Sequence, residues 1–174
     1  AIDYRGHGLS DGPRGFVADF DRYLEDVDAF IKAVFPEDDG VPTFLIGHSH
    51  GGLICGRFIE QHPTAARLSG VVFSSPFFGL KLKVPWIKRF VAERLARLIP
   101  KASVDAGQLP VTRNEEVQQA YLEDPLSFSK APFGWVAAAT DAQHKVLHQA
   151  GKMRQPVLFL HGGADEIADP ETTQ

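Results

Sequence analysis

Gly47-His48-Ser49-His50-Gly51 is the stretch of sequence that decides the fold. It matches the pattern G-x-S-x-G, in which a serine stands on a sharp turn between a strand and a helix. The surrounding sequence fits, because the apolar run 42–46 predicts a buried strand and 53–61 predicts a helix that ends before Pro63. Such a turn would lift the Ser49 hydroxyl above a sheet, where it can act as a nucleophile.

The residues on either side of Ser49 have predictable tasks. We expect glycine at 47 and 51 because a side chain at either position would collide with neighbouring backbone. The helix that follows would point its first backbone N–H groups, including that of His50, at a developing oxyanion. A chance serine in a glycine-rich turn is the alternative, and the flanking strand and helix argue against it. His48 and His50 form an H-x-H pair, but further metal ligands do not stand close by.

The remaining pattern predicts an α/β fold with a helical insertion. The runs 71–73 and 157–160 predict two more buried strands, and helical spacing after Asp19 predicts a helix capped by Asp19 and ended by Pro36. Strands alternating with helices are typical of a mostly parallel sheet with helices on both faces. Proline-broken helical segments follow from Phe77. We therefore expect a core of residues 1–76 and 151–174, with residues 1–5 ending a strand, and a helical cap with its return helix at 77–150.

Composition narrows the class of protein. The chain has 174 residues, 44% of them hydrophobic, as in an ordinary globular domain. A net charge of -4 argues against nucleic acid as a partner. The single cysteine, Cys55, excludes an intrachain disulfide, and neither a transmembrane run nor a signal-peptide pattern is present. We expect a cytoplasmic protein, and the sequence carries no signal for its oligomeric state.

Asp165 is the candidate acid of a serine–histidine–acid triad. It follows the run 157–160 and would lie at the carboxyl edge of the sheet, with Glu166 and Asp169 as rivals. In this fold the histidine comes last, yet none follows Asp165. We therefore expect the chain to be the middle of a longer protein, with the catalytic histidine beyond Gln174. The alternative is that a histidine of this chain is the base, and the candidates are His7, His144, His148 and His161.

Three segments together carry a resemblance to a known family. They are Asp3-Tyr4-Arg5-Gly6-His7-Gly8-Leu9-Ser10, Gly47-His48-Ser49-His50-Gly51-Gly52 and Leu160-His161-Gly162-Gly163-Ala164-Asp165. The chain resembles the monoacylglycerol lipase and lysophospholipase-like branch of the α/β-hydrolases. The resemblance implies that Ser49 is the nucleophile, that Asp165 is the triad acid and that the cap receives an acyl chain. His50 departs from the family, in which many members have Met.

The expected activity is hydrolysis of a carboxylic ester of a lipid-like substrate through an acyl-enzyme, with no cofactor. Another ester, thioester or amide hydrolase with the same triad is the first alternative, and a non-catalytic binding protein of the same fold is the second. The sequence after Gln174 would separate catalysis from binding. Candidate walls of an acyl pocket are Phe77, Phe78, Leu80 and Trp86.

A basic segment within the insertion raises the question of membranes. Residues 81–101 contain seven Lys and Arg against Glu93 alone, and 86–99 have the spacing of an amphipathic helix. Such a helix either contacts anionic lipid at a membrane surface or packs on the core with a solvated basic face.

Overall fold

A three-stranded parallel sheet organises the chain in the computed structural model, which describes residues 1–35, 40–82, 84–105, 107 and 111–173. Its strands are β1 (Phe44–His48), β2 (Gly70–Ser74) and β5 (Val157–Leu160), in the order β1-β2-β5. Helix α2 (His50–Gln61) and a 3₁₀ helix (Pro63–Arg67) connect β1 to β2. The three predicted strands are confirmed, with β1 beginning two residues later than the predicted run.

Helix α1 (Asp21–Val34) precedes the sheet and packs on α2. Its buried face consists of Tyr23, Leu24, Val27 and Ile31, which recur at helical spacing, whereas Val34 at the same spacing is 50% exposed. The predicted cap is wrong: Phe20 occupies the N-cap position, and no side chain caps the helix. Aromatic packing explains this start, because the Phe20 ring is buried edge-on against Tyr23. The predicted end, Pro36, lies outside the described residues.

The two faces of the sheet differ in burial. Val71 and Phe73 are buried on the face that α2 covers. On the opposite face Phe44 and Ile46 of β1 are 59% and 70% exposed, and Leu158 and Leu160 of β5 are exposed as well. Among the described residues, β1 and β5 are therefore covered on one face. An apolar run indicates a strand, but it does not tell which neighbours cover each face.

Among the described residues, β2 is followed by three α-helices and a small two-stranded antiparallel sheet. The helices are α3 (Trp86–Leu98), α4 (Glu115–Glu123) and α5 (Phe133–Gln149). Strands β3 (Ser103–Asp105) and β4 (Lys130–Pro132) pair antiparallel, with Ser103 opposite Pro132. The sequence did not predict these strands, because three residues are too few to show alternation. None of the described helices has the length and apolar content needed to cross a bilayer.

The chain divides into two compact units. One comprises Ala1–Asp19 and Pro85–Ala138, and the other comprises Phe20–Val84 and Ala139–Gln174. This division differs from the predicted core and cap. In the first unit, the Phe128 ring lies so close to Gly15 that a Cβ there would be 2.5 Å from it. In the second unit Val146 of α5 lies so close to Gly56 of α2 that a Cβ there would be 2.9 Å from it. Residues 1–4 form no strand with the described residues.

Candidate active site

Ser49 lies at the turn between β1 and α2 in a strained conformation. Its φ of 50° and ψ of -118° lie in a region that residues with a side chain rarely adopt. Its N–H donates to the Ser74 carbonyl at 3.0 Å, and its own carbonyl accepts from the N–H of Gly52 at 2.9 Å and of Phe77 at 3.0 Å. Strain of this kind persists only where surrounding contacts enforce it, and it clusters at functional sites.

The glycines around the turn differ in how much space a side chain would have at each position. A Cβ on Gly47 would lie 2.6 Å from the Gly51 carbonyl oxygen and 2.7 Å from Cys55 Sγ. A Cβ on Gly52 would lie 2.7 Å from Pro76. A Cβ on Gly51 would meet nothing within 4 Å. The prediction is confirmed for Gly47 and wrong for Gly51, because the close backbone approach falls one residue later, where α2 crosses Pro76.

The two histidines beside Ser49 have other partners. His50 is the first residue of α2, and its ring lies edge-on to Phe20 and Tyr23, with centroids 5.6 Å and 5.2 Å away. His48 Nδ1 is 3.1 Å from Ser74 Oγ. Within the described part of the chain, no group of three or more His, Cys, Asp or Glu side chains is arranged to hold a metal ion. The His50 ring thus packs on Phe20 and Tyr23, and the role of its backbone N–H as an oxyanion donor stays a prediction.

Asp165 is held with one carboxylate oxygen engaged. Its Oδ1 accepts from the N–H groups of Ile167 and Ala168, each at 2.9 Å. The side chain is 19% exposed. The rival Asp169 has a local task, since its Oδ1 accepts from the Glu171 N–H at the start of a 3₁₀ helix (Pro170–Thr173). The two backbone bonds fix the orientation of the Asp165 carboxyl group and leave Oδ2 for another partner.

The loop that carries Asp165 is clamped by the segment after β2. Lys81 Nζ donates to the Asp165 carbonyl at 2.8 Å, and the Lys81 N–H donates to the Ile167 carbonyl at 3.0 Å. Leu80 forms a β-bridge with Ala168. Sequence reasoning missed Lys81, which it counted only within the basic segment. No local signal could have found it, because Lys81 and Asp165 are 84 residues apart.

Ser49 and Asp165 lie at the same edge of the sheet. The register aligns His48, Ser74 and Leu160 across the three strands, so Ser49 and the loop 161–165 both follow carboxyl ends. Two strand spacings, about 10 Å, separate the axes of β1 and β5. Between them Ser75 has a φ of 42°, and its N–H donates to the Leu160 carbonyl at 2.7 Å. Ser49 and the loop that carries Asp165 thus lie on either side of β2 at one edge of the sheet.

The candidate pocket residues have different environments. Phe78 belongs to the core: it is 4% exposed, and its ring lies 5.4 Å from that of Phe73. Phe77 is half-buried and Leu80 is exposed. Trp86, the first residue of α3, is 75% exposed and belongs to the other compact unit.

The four other histidines that the sequence offers as a base lie in three environments. His7 packs against Tyr4 and Phe128, and burial lowers its pKa. His144 and His148 are exposed on α5, with His148 Nδ1 2.9 Å from the His144 carbonyl. His161 lies against the triad candidate: its Nε2 is 3.6 Å from Asp165 Oδ2.

Comparison with known proteins places this arrangement in a family. Residues 1–174 match the family described as serine aminopeptidase, S33. The chain is 30% identical to phospholipase YtpA of Bacillus subtilis, covering 96% of the chain and 64% of the relative. It is also 30% identical to the monoacylglycerol lipase of Mycolicibacterium smegmatis, covering 96% of the chain and 60% of that enzyme. The crystal structure of Paleococcus ferrophilus monoacylglycerol lipase superposes with a TM-score of 0.86 at 31% identity, covering 99% of the chain and 65% of that structure. The chain thus spans about three fifths of the length of these proteins.

Proposed function

The chain belongs to the serine aminopeptidase S33 family of α/β-hydrolases, and from this we propose that the protein hydrolyses carboxylic esters of lipid-like substrates through an acyl-enzyme on Ser49. One observation carries the proposal: a strained serine on a strand–helix turn shares a sheet edge with an aspartate whose carboxylate is held by two N–H groups. Relatives named monoacylglycerol lipase and phospholipase support the ester class, with a monoacylglycerol or lysophospholipid as the expected substrate type.

The proposed chemistry follows from the placement of the groups. Ser49 Oγ attacks the ester carbonyl carbon while a histidine takes the hydroxyl proton, and the carbonyl oxygen gains negative charge facing the His50 N–H. The same histidine then protonates the departing alcohol. Water attacks the acyl-enzyme with the histidine again as base, which releases the carboxylic acid and restores Ser49. Asp165 Oδ2 orients the imidazole throughout. The identity of that histidine and of a second oxyanion donor stays a prediction.

The substrate class rests on the apolar side chains near the edge of the sheet. Phe77 and Leu80 follow β2 directly, and both retain surface for contact with an acyl chain. Trp86 stays a prediction. Each methylene buried in an apolar pocket contributes about 0.8 kcal/mol, so medium-chain esters should be preferred to acetates. A peptide amide is the second candidate, because the family's description names an aminopeptidase.

Helix α3 supports contact with a membrane surface. It has no buried residue, and Trp86, Ile87, Phe90 and Val91 are all exposed. Its cations are Lys88, Arg89, Arg94 and Arg97. An exposed apolar stripe beside cations is the pattern of a helix that lies in the interface of an anionic bilayer. We propose this contact as the route by which a lipid ester reaches the enzyme.

A covalent probe tests the assignment of the nucleophile. Full-length protein should be labelled by a fluorophosphonate on Ser49, and Ser49→Ala should abolish labelling. Asp165→Asn should lower kcat on a p-nitrophenyl ester by about 10⁴-fold, because the imidazole loses the group that selects its tautomer. Asp169→Asn is the matched control and should cost less than about threefold, because its carboxylate caps a local turn. Equal labelling of Ser49→Ala, or the reverse order of the two aspartates, contradicts the proposal. An aminoacyl p-nitroanilide assayed beside the ester separates peptidase from esterase.

A further inference from the structure

We propose that His161 is a positioning residue for Asp165, holding the carboxylate oxygen that faces the triad histidine. This inference rests on the proposed function, in which Asp165 is the triad acid. It concerns a histidine that lies in the first turn after β5, one residue beyond the strand. The order of a serine–acid–histidine triad assigns no role to His161, because His161 precedes the acid in the chain.

The geometry singles out the second oxygen of the carboxylate. Oδ1 of Asp165 is taken by the N–H groups of Ile167 and Ala168. His161 Nε2 lies 3.6 Å from Oδ2, and its side chain is only 9% exposed. Nε2 is itself buried, and no hydrogen-bond partner for it exists among the residues that the structure describes. A buried donor without a partner is costly, so a closer approach to Oδ2 is favoured.

The other ring nitrogen indicates how the imidazole is oriented. His161 Nδ1 is 3.4 Å from Thr173 Oγ1, and that hydroxyl is also 2.9 Å from the Pro170 carbonyl. The single hydrogen of the Thr173 hydroxyl is donated to the Pro170 carbonyl. When Nε2 carries the imidazole hydrogen, Nδ1 is an acceptor, and the Thr173 hydroxyl must rotate away from Pro170 to donate to it. Nε2–H then points at Oδ2. The separation of 3.6 Å is about half an ångström longer than an ordinary hydrogen bond, and such contacts often tighten only with substrate bound.

A carboxylate oxygen can accept two hydrogen bonds, so His161 and the triad histidine can share Oδ2. His161 would set the rotation of the Asp165 carboxylate, and that carboxylate would orient the triad histidine. Residues that orient a functional group through a hydrogen bond typically contribute about 10–100-fold to activity. His161 itself exchanges no proton with substrate in this arrangement.

Two substitutions of the same residue separate this role from others. In full-length protein His161→Gln keeps an N–H donor near the position of Nε2, whereas His161→Leu keeps comparable bulk without a donor. We expect His161→Leu to lower kcat about 10–100-fold on a p-nitrophenyl butyrate substrate, with KM within about threefold, and His161→Gln to restore kcat to within about threefold of the parent. His144→Leu, on the exposed face of α5, is the matched control and should leave both constants unchanged.

Each result decides the proposal. Parental kcat in His161→Leu, with Asp165→Asn inactive, overturns the positioning role and leaves the proposed function standing. A His161→Gln variant as inactive as Ser49→Ala makes His161 the base and also overturns it. A parental rate in Asp165→Asn removes the proposed acid and the inference together. If His161→Leu does not fold, Thr173→Val removes the partner of Nδ1 instead, and an unchanged kcat in that variant refutes the proposal.

Discussion

Replacing Gly47 by alanine tests whether the turn beneath Ser49 is as tightly packed as the structure shows. The new Cβ would lie 2.6 Å from the Gly51 carbonyl oxygen and 2.7 Å from Cys55 Sγ. Neither neighbour can move freely, because one is backbone of α2 and the other is the 5% exposed side chain of a residue in the same helix. The strand and helix must therefore separate, which displaces Ser49 between them.

The size of the effect follows from overpacking and chain entropy. Overpacking of a dense core costs about 1–3 kcal/mol. Removing a glycine from the unfolded chain returns about 0.4–1 kcal/mol. The net loss for Gly47→Ala is thus about 1 kcal/mol. Gly51→Ala is the matched control within the same motif: its Cβ meets open space, so the helix should gain up to about 1 kcal/mol. The two variants then differ by about 2 kcal/mol, which at about 2–4 °C per kcal/mol gives a difference in Tm of roughly 4–8 °C.

Thermal unfolding followed by circular dichroism measures the difference, and the rate of fluorophosphonate labelling reports the position of Ser49. Gly47→Ala should label about 10²-fold more slowly, since misplacement of a reacting group by an ångström has effects of that order. If Gly47→Ala melts and labels like the parent, the close contacts are not real. If Gly51→Ala is destabilised as much as Gly47→Ala, the distinction between the two glycines is refuted.

Four further outcomes are expected. Burial raises the pKa of the Cys55 thiol to about 12, so it should resist iodoacetamide at pH 8 in folded protein and react after denaturation, as mass spectrometry would show; rapid alkylation of the folded state contradicts its burial. Burial also raises the pKa of Glu60 from 4.5 to about 7, against the opposing Arg57 guanidinium, so its stabilising contribution is full below pH 4.5 and is lost as pH rises through 7. The Tm deficit of Glu60→Gln relative to the parent should therefore shrink between pH 5 and pH 8, and a deficit that grows would refute the direction of the shift. Full-length protein should sediment with anionic vesicles more than with neutral ones, less so in high salt, and Arg89→Glu should weaken this binding; indifference to vesicle charge would favour a solvated basic face. Among p-nitrophenyl esters, kcat/KM should rise from acetate to octanoate, and a steady fall with chain length would exclude a lipid-like substrate.

Features confined to contiguous residues could be predicted well. The turn at Ser49 follows from a strand, a glycine-flanked serine and a helix in direct succession, and the strand before Asp165 follows from four apolar residues. Helical spacing identified the buried face of α1 and the extent of α3 to within one residue. These are periodic and steric properties of the backbone, and they act over one or two turns.

Contacts between distant segments could not be predicted. The need for glycine at 52 rather than 51 depends on where Pro76 crosses α2, and the clamp on Asp165 comes from Lys81, 84 residues earlier. Exposure of Phe44 and Ile46 likewise depends on which elements cover each face of the sheet.

The sequence by itself determined the alternation of strands and helices, the candidate nucleophile and the candidate acid. Each of these is encoded by a short run of residues whose geometry is local. Only the tertiary structure decided that Ser49 and Asp165 share one edge with β2 between them, that Oδ2 of Asp165 faces His161, and that Phe78 packs in the core. Those facts follow from strand order and from side-chain packing, which join residues far apart in the chain, and a periodic pattern carries no information about such neighbours.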